Sequence, residues 1–566
     1  MFGKYSSEVL LRDPLMKILL IVTALFLLLT SAAQAQGGHQ GMHKDPERTV
    51  NQLGRVNFLI SCSPKAQQQF NLAVAWLHSF EYEEAENAFA EVSATDPRCG
   101  MAYWGIAMSN FHPLWVPPTP AELQKGSAAA EKAKTLSAST KRERDYIEAI
   151  GVFYRDAGKI DHRTRTFAYC ESMKSLYQTY PTDLEAAVFY SLSLVTTGTM
   201  VHDKIYAREK EAAEILKRVL AREPQHPGVS HYMIHGYDYP ALAPLALSAA
   251  RSYAKIAPAS AHAQHMPSHI FTRLGLWQEA IRSNLDAHAA ARAYAKRNHL
   301  TDAWDEQLHA MDYLAYAYLQ GGQDKKALGV VEELNNIRQV DPLTFKVAYA
   351  VSAIPARYTL ERRQWSVAAK LPLDPAGIPT FPWGKFRWAQ AHIQFARAIG
   401  AARTGDITSA RKEIDELAAI HKSLTETPGD YDWAKQVDIE RQIASAWLNY
   451  AEGNKEEALR IMRDVATLDD QTDKHPVTPG ALLPAREQLG ELLLELKEPV
   501  AARAEFETAL RNTPNRFNAL LGAARAAKLA NDRAKALTYY RKLVELCRFA
   551  DSKRLELEEA KAFLRG

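Results

Sequence analysis

The 566-residue sequence holds only four cysteines, and no two of them form a C-x-x-C pair. That argues against a zinc knuckle or a dithiol redox motif. There is no H-E-x-x-H, G-x-S-x-G, P-loop or dinucleotide fingerprint, so the common protease, hydrolase and nucleotide signatures are absent. The formal net charge is only +3, which leaves no polybasic footprint for nucleic acid. Strand signal is scarce from end to end, so the chain is predicted to be all-α. Long apolar runs are also lacking. Ile18–Leu29 is one, and no second run of spanning length is expected after it.

That single run has its own logic. Met16-Lys17 precedes it and Ser31-Ala-Ala33-Gln-Ala35 follows, the order of a secretory signal peptide with an A-x-A cleavage site. Residues 1–35 read as an N-terminal extension and signal peptide, with Met16 the initiator and cleavage near Ala35. Residues 36–55 read as a flexible mature N-terminus. The mature chain is expected to be periplasmic or secreted and to leave the membrane once cleaved. Export permits disulfides. Cys62 and Cys99 stand at the starts of two successive helical hairpins and are the candidate pair; Cys170 and Cys547 read as buried thiols.

A chain of this length needs either several cores or a repeat array. In Pro64–Pro97, Ala85, Phe89 and Pro97 fall at intervals of four and eight, and Ala502, Phe506 and Pro514 repeat them. Ala536 and Tyr540 stand 34 residues beyond Ala502 and Phe506. These offsets resemble the tetratricopeptide repeat, a 34-residue helix pair. Fainter copies run through Ala212, Ala246, Ala280, Ala327 and Ala458. The expected architecture is one right-handed superhelical solenoid of helix pairs over 56–566. Its repeats are clean at about 64–131 and 482–549 and degenerate at about 140–470.

Histidines gather in the degenerate part. His262, His265 and His269 share one segment, His231 and His235 precede it, and His309 and Asp312 follow. Spacings of three and four put side chains on one helix face. The resemblance implies more: counted back from Ala246, Ala280 and Ala327, these residues occupy positions that line the family's concave groove. His78 and His112 take equivalent positions in the first repeats, beside Trp104, and Arg357 and Tyr358 are further ligand candidates. Arg357 could equally pair with Glu361 along its own helix. Convergent imidazoles with a carboxylate suit zinc, copper or another late first-row ion. A hydrolytic centre could draw on Asp238, Asp305 or Glu306. The same residues could also line a peptide or anion groove, or be packed, hydrogen-bonded core histidines. Pro267 leaves two local readings: a kinked helix through His262, or a helix that begins at Met266 with His262 and His265 on a loop.

The segments LHSFEYEEA (77–85), DPRCGMAYWGIAMS (96–109), HPGVSHYMIHGYD (226–238), HAQHMPSHIFTRLG (262–275) and PAREQLGELLLEL (484–496) are similar to those of a group of exported bacterial tetratricopeptide-repeat proteins. The HMPSH segment is the most specific of them. The resemblance implies the fold and export, and it carries no activity. From the wider repeat family it implies a scaffold whose groove binds a partner protein or peptide. The histidines stand where peptide-clamp repeats carry Asn, Lys or Arg, a departure from simple peptide clamping; the alternative reading is a metal-binding protein or metal-dependent enzyme. Binding of metal by such imidazoles would be expected to weaken below about pH 6.

Overall fold

Helix follows helix from Pro64 to Arg565. The computed structural model describes residues 52–566, apart from 115–116, 137–139, 202, 302, 375–376, 379–380 and 430. Residues 1–35, with the expected signal peptide, lie outside that range, as do 36–51. Among the described residues the only strands are Ala303–Trp304 and Val340–Asp341, which pair in parallel. The fold is an all-α, right-handed superhelical solenoid of tetratricopeptide-like helix pairs.

Local sequence sets the helix starts. Ser63 caps Pro64–His78, with proline in the first turn, where its missing N–H costs nothing. Thr119 with Glu122 and Thr140 with Glu143 form capping boxes for Pro120–Thr135 and Lys141–Tyr154. The repeat residues then act as spacers and wedges. A Cβ on Gly105 would come within 2.2 Å of the Phe89 ring, and one on Gly522 within 2.2 Å of the Phe506 ring. Glycine at each crossing lets an aromatic ring of the neighbouring helix seat against bare backbone. Ala85, Ala502, Phe506, Ala536 and Tyr540 are all fully buried at these contacts.

Residues 52–55 are packed onto the solenoid. Leu53 is buried, and the Arg55 amide donates to Gln225 O at 2.9 Å. Cys62 and Cys99 are joined in a disulfide, and Cys170 and Cys547 are buried free thiols. The helix Leu184–Val201 is long and apolar enough to cross a membrane by length and composition, which corrects the expectation that no second such run exists. It owes its apolar character to burial inside the solenoid, where 78% of its apolar window is covered.

Two features set the surroundings of the histidines. First, the superhelix closes on itself. Trp277 Nε1 donates to Asn515 O at 2.7 Å, and Asn515 Nδ2 to Gly275 O at 3.3 Å. Arg516 reaches Tyr316, Glu361 and Glu487, and Asp551 accepts from the Lys325 and Lys326 amides. Second, the connection 471–484 between helices Lys455–Asp470 and Ala485–Glu495 runs against the histidine helices. Its Lys474 bonds Asp238, its Val477 carbonyl accepts from Tyr313, and its Gly480 and Ala481 carbonyls accept from Arg357.

Candidate metal centre

Helix Pro227–Gly236 supplies His231 and His235. The next first helix is split: Ala261–His265 carries His262 and His265, and Pro267–Arg273 carries His269. Met266 keeps helical angles and Pro267 takes the first position of the second piece, so all three histidines are helical and none lies on a loop. Helix Asp305–Gln320 brings His309. Histidines from three successive helix pairs therefore meet, in two groups.

The first group is His231, His235 and His262. His231 Nε2 lies 3.0 Å from His235 Nε2 and 3.2 Å from His262 Nε2. The other nitrogen of His231, Nδ1, donates to the His78 carbonyl at 2.6 Å. A neutral imidazole carries one proton, so Nε2 of His231 is a lone pair. One lone pair accepts one hydrogen, yet two ring nitrogens face it.

The second group is His265, His269 and His309. Here the proton positions can be derived for two of the rings. Asn284 Nδ2 donates to Ala280 O at 2.8 Å, so Asn284 Oδ1 is the acceptor turned to His265 Nδ1 at 2.7 Å. His269 Nδ1 donates to the Asp238 carboxylate at 3.0 Å. Both Nε2 atoms are thus lone pairs, and they face each other at 3.1 Å. An added proton would resolve the clash only on an imidazolium. Burial disfavours that charge, holding His231, His235, His265 and His309 well below the usual histidine pKa. His269 is lowered by burial too, with Asp238 opposing the shift, and His262 falls to about 3.

The spacing suits an ion. Four nitrogens at about 2.0–2.1 Å around a tetrahedral zinc stand about 3.3 Å from one another. Within each group the three ligand atoms lie within 4.8 Å of each other. The residues behind the ligands complete the pattern. Asp238 also accepts from Arg273 Nε at 2.8 Å and from Lys474 Nζ at 3.2 Å. Those two cations and the His269 bond keep Asp238 well below its usual pKa in spite of burial. Burial in turn brings Lys474 down to about 8. A carboxylate, carbonyl or amide that takes the second ring proton fixes the tautomer and raises the basicity of the ligating nitrogen.

A third group, His78, Glu185 and His226, is built differently. Glu185 accepts from His78 Nε2 at 2.9 Å and from His226 Nε2 at 3.0 Å, and Tyr232 OH meets His78 Nδ1 at 2.8 Å. Each of these contacts joins a donor to an acceptor without an ion, and His226 Nδ1 is left buried without a partner. This network lies behind His231 and presents it the His78 carbonyl.

The remaining sequence candidates do not gather into a ligand groove. Asp312 belongs to neither triad; it is buried with Oδ1 unpartnered, and burial raises it to about 7, with Arg357 opposing. Arg357 is fully buried over the Tyr316 ring, and its partners are the 480–481 carbonyls rather than Glu361, which pairs with Arg516. Tyr358 is half-buried. Trp104 is core, set edge-on to Phe58 and Tyr146. His112 packs on Tyr82 beside Glu122; Tyr82 stacks on Phe80, the ring set against His231 and His235, so His112 is two rings removed from the first triad. Trp115 lies outside the described residues. Asp305 and Glu306 share Lys346. The groove is closed over the histidines: five of the six triad histidines are buried, and His262 is half-buried. Asn284, Lys474 and Glu81 went unnoticed in the sequence; Glu81 accepts from Ser260 Oγ at 2.8 Å just behind His262.

No family model and no curated protein matches the chain. Solved structures of low similarity do. Yeast Tom70 has a TM-score of 0.32 at 11% identity over 88% of this chain and 95% of that one. A human IFIT1 dimer with PPP-AAAA has a TM-score of 0.37 at 12% identity, over 80% and 91%. The APC/C hetero-tetramer Cut9–Hcn1 has a TM-score of 0.32 at 11% identity, over 88% and 83%. At such values the likeness carries no argument about function.

Proposed function

We propose that this chain is a metal-binding helical-repeat protein whose buried histidine triads hold late first-row transition ions, zinc or copper. One observation carries the reading. His265 and His269 present unprotonated Nε2 atoms to each other at 3.1 Å, with both ring protons committed elsewhere. Two lone pairs at that distance repel unless a cation lies between them. Neutral nitrogen donors with no thiolate suit zinc and copper over magnesium or calcium. The solenoid is the scaffold that aligns three helix pairs around the ions. Partner-protein binding rests on the repeat architecture alone, and the buried histidines take no part in it. The Cys62–Cys99 disulfide supports an oxidising compartment, periplasmic or secreted.

Elemental analysis of untagged protein tests the proposal. Zinc or copper should co-purify or load stoichiometrically, and the double variant His235→Ala/His269→Ala should lose it with helicity retained. Absence of metal from the wild-type chain after loading would sink the reading.

A further inference from the structure

The two triads adjoin. Across the boundary between them, the His235 and His269 ring centroids are 6.2 Å apart and those of His262 and His265 are 6.5 Å apart. The wider spacings inside the triads are nearly the same, at 6.2 Å for His235–His262 and 6.3 Å for His269–His309. Six imidazoles thus form one continuous cluster. The chain order shows why. His262 completes the triad begun by His231 and His235, and His265, three residues on along the same short helix, begins the next. Residues three apart on a helix have Cβ atoms about 5–6 Å apart. Ligands of two different ions therefore sit one turn apart on one face.

Resting on the metal-binding reading above, we propose that the triads act as one dinuclear centre. Two ions share a single small oxygen ligand, hydroxide in the resting state. Each ion takes three nitrogens from the protein, which leaves a tetrahedral ion one open position. Paired ions that share substrate or solvent oxygen stand about 3.5–4 Å apart. An independent observation points to the same place. Glu306 is three residues before His309 on helix Asp305–Gln320, on the same face, and its Oε2 is buried with no partner while Oε1 meets Lys346 at 2.5 Å. Glu306 and Asp305 set two carboxylates against the one Lys346 ammonium, so the group can offer the negative charge that two divalent ions require. The unpartnered Glu306 oxygen also supplies an acceptor for the proton of a bridging hydroxide.

The experiment is copper(II) loading of the full chain, read by elemental analysis and by spin counting in electron paramagnetic resonance. Two coppers per chain are expected, with an integrated signal well below two spins, because a shared oxygen couples the two unpaired electrons. His309→Ala should bind one copper per chain and recover the full signal of that ion. If His309→Ala loses its helical circular dichroism, His262→Ala, from the half-buried member of the other triad, gives the same readout. One copper per wild-type chain, or two with undiminished spins, would overturn the dinuclear centre and leave the metal-binding reading standing. No copper at all would overturn the dinuclear centre, and failure to load zinc as well would remove the metal-binding reading with it.

Discussion

Asp238 and His269 are joined at 3.0 Å through Oδ2 and Nδ1, and that bond decides which His269 nitrogen faces the centre. Replacing Asp238 with Asn would leave the size and remove the charge. Metal affinity should fall roughly 10–100-fold, the usual cost of losing such a supporting partner. Competition with a chromophoric chelator would measure it. Unchanged affinity would mean that His269 is not a ligand.

Proton competition gives a second test. A ligand nitrogen must be unprotonated, and a lowered pKa moves proton competition to lower pH. Burial brings His262 to about 3 and holds His265 well below its usual value. The centre should therefore keep its metal at pH 5, whereas binding by ordinary imidazoles would already weaken below about pH 6. Metal content after dialysis across pH 4–7 would show it, and release by pH 6 would contradict this account.

Asp312 should make the protein less stable as pH rises. Its folded pKa is about 7, and an unfolded aspartate titrates near 3.9. Between those values the native state binds the extra proton, so stability falls with rising pH over that window. Asp312→Asn removes the effect. At pH 8 it should gain on the order of 2–4 kcal/mol, with little gain at pH 4. Urea unfolding at the two pH values compares them directly, and an equal gain at both would assign the effect to packing.

Arg516 is fully buried between Glu361 and Glu487, and its Nε is 2.9 Å from Glu487 Oε2. Arg516→Met strands two buried carboxylates, and the cost should be roughly 3–5 kcal/mol. Further replacement of Glu361 and Glu487 by Gln should recover part of it. A loss below about 1 kcal/mol in the single variant would mean that water reaches the pair.

Much of this was legible from spacing alone. Ala85, Phe89 and Pro97 set a helix pair of fixed length, and once the phase is known His231, His235, His265 and His269 fall on one side of consecutive first helices. Phase does not specify what faces those helices. Asp312 follows His309 by three residues, yet its charged neighbour is Arg357. Asn284 meets His265 from the following helix and Lys474 reaches Asp238 from 236 residues away, and no local pattern encodes either meeting. The closed groove was hidden for the same reason. The connection 471–484, with Pro476, Pro479 and Pro484, reads as an ordinary inter-repeat loop until its carbonyls are seen on Tyr313 and Arg357.

The bond from Trp277 to Asn515 spans 238 residues of sequence. In an open array each repeat answers only to its neighbours, so the ends fray without consulting the middle. Here the last repeats hold the turn that follows His269, and the order of assembly changes with it. A nascent chain can lay down its helices one by one as they emerge. The lock at Gly275 and Trp277 must wait until Asn515 has been made, and closing so long a loop slows folding. A chain cut short before residue 515 would keep every histidine of the centre and lose the clasp that fixes the helix next to it.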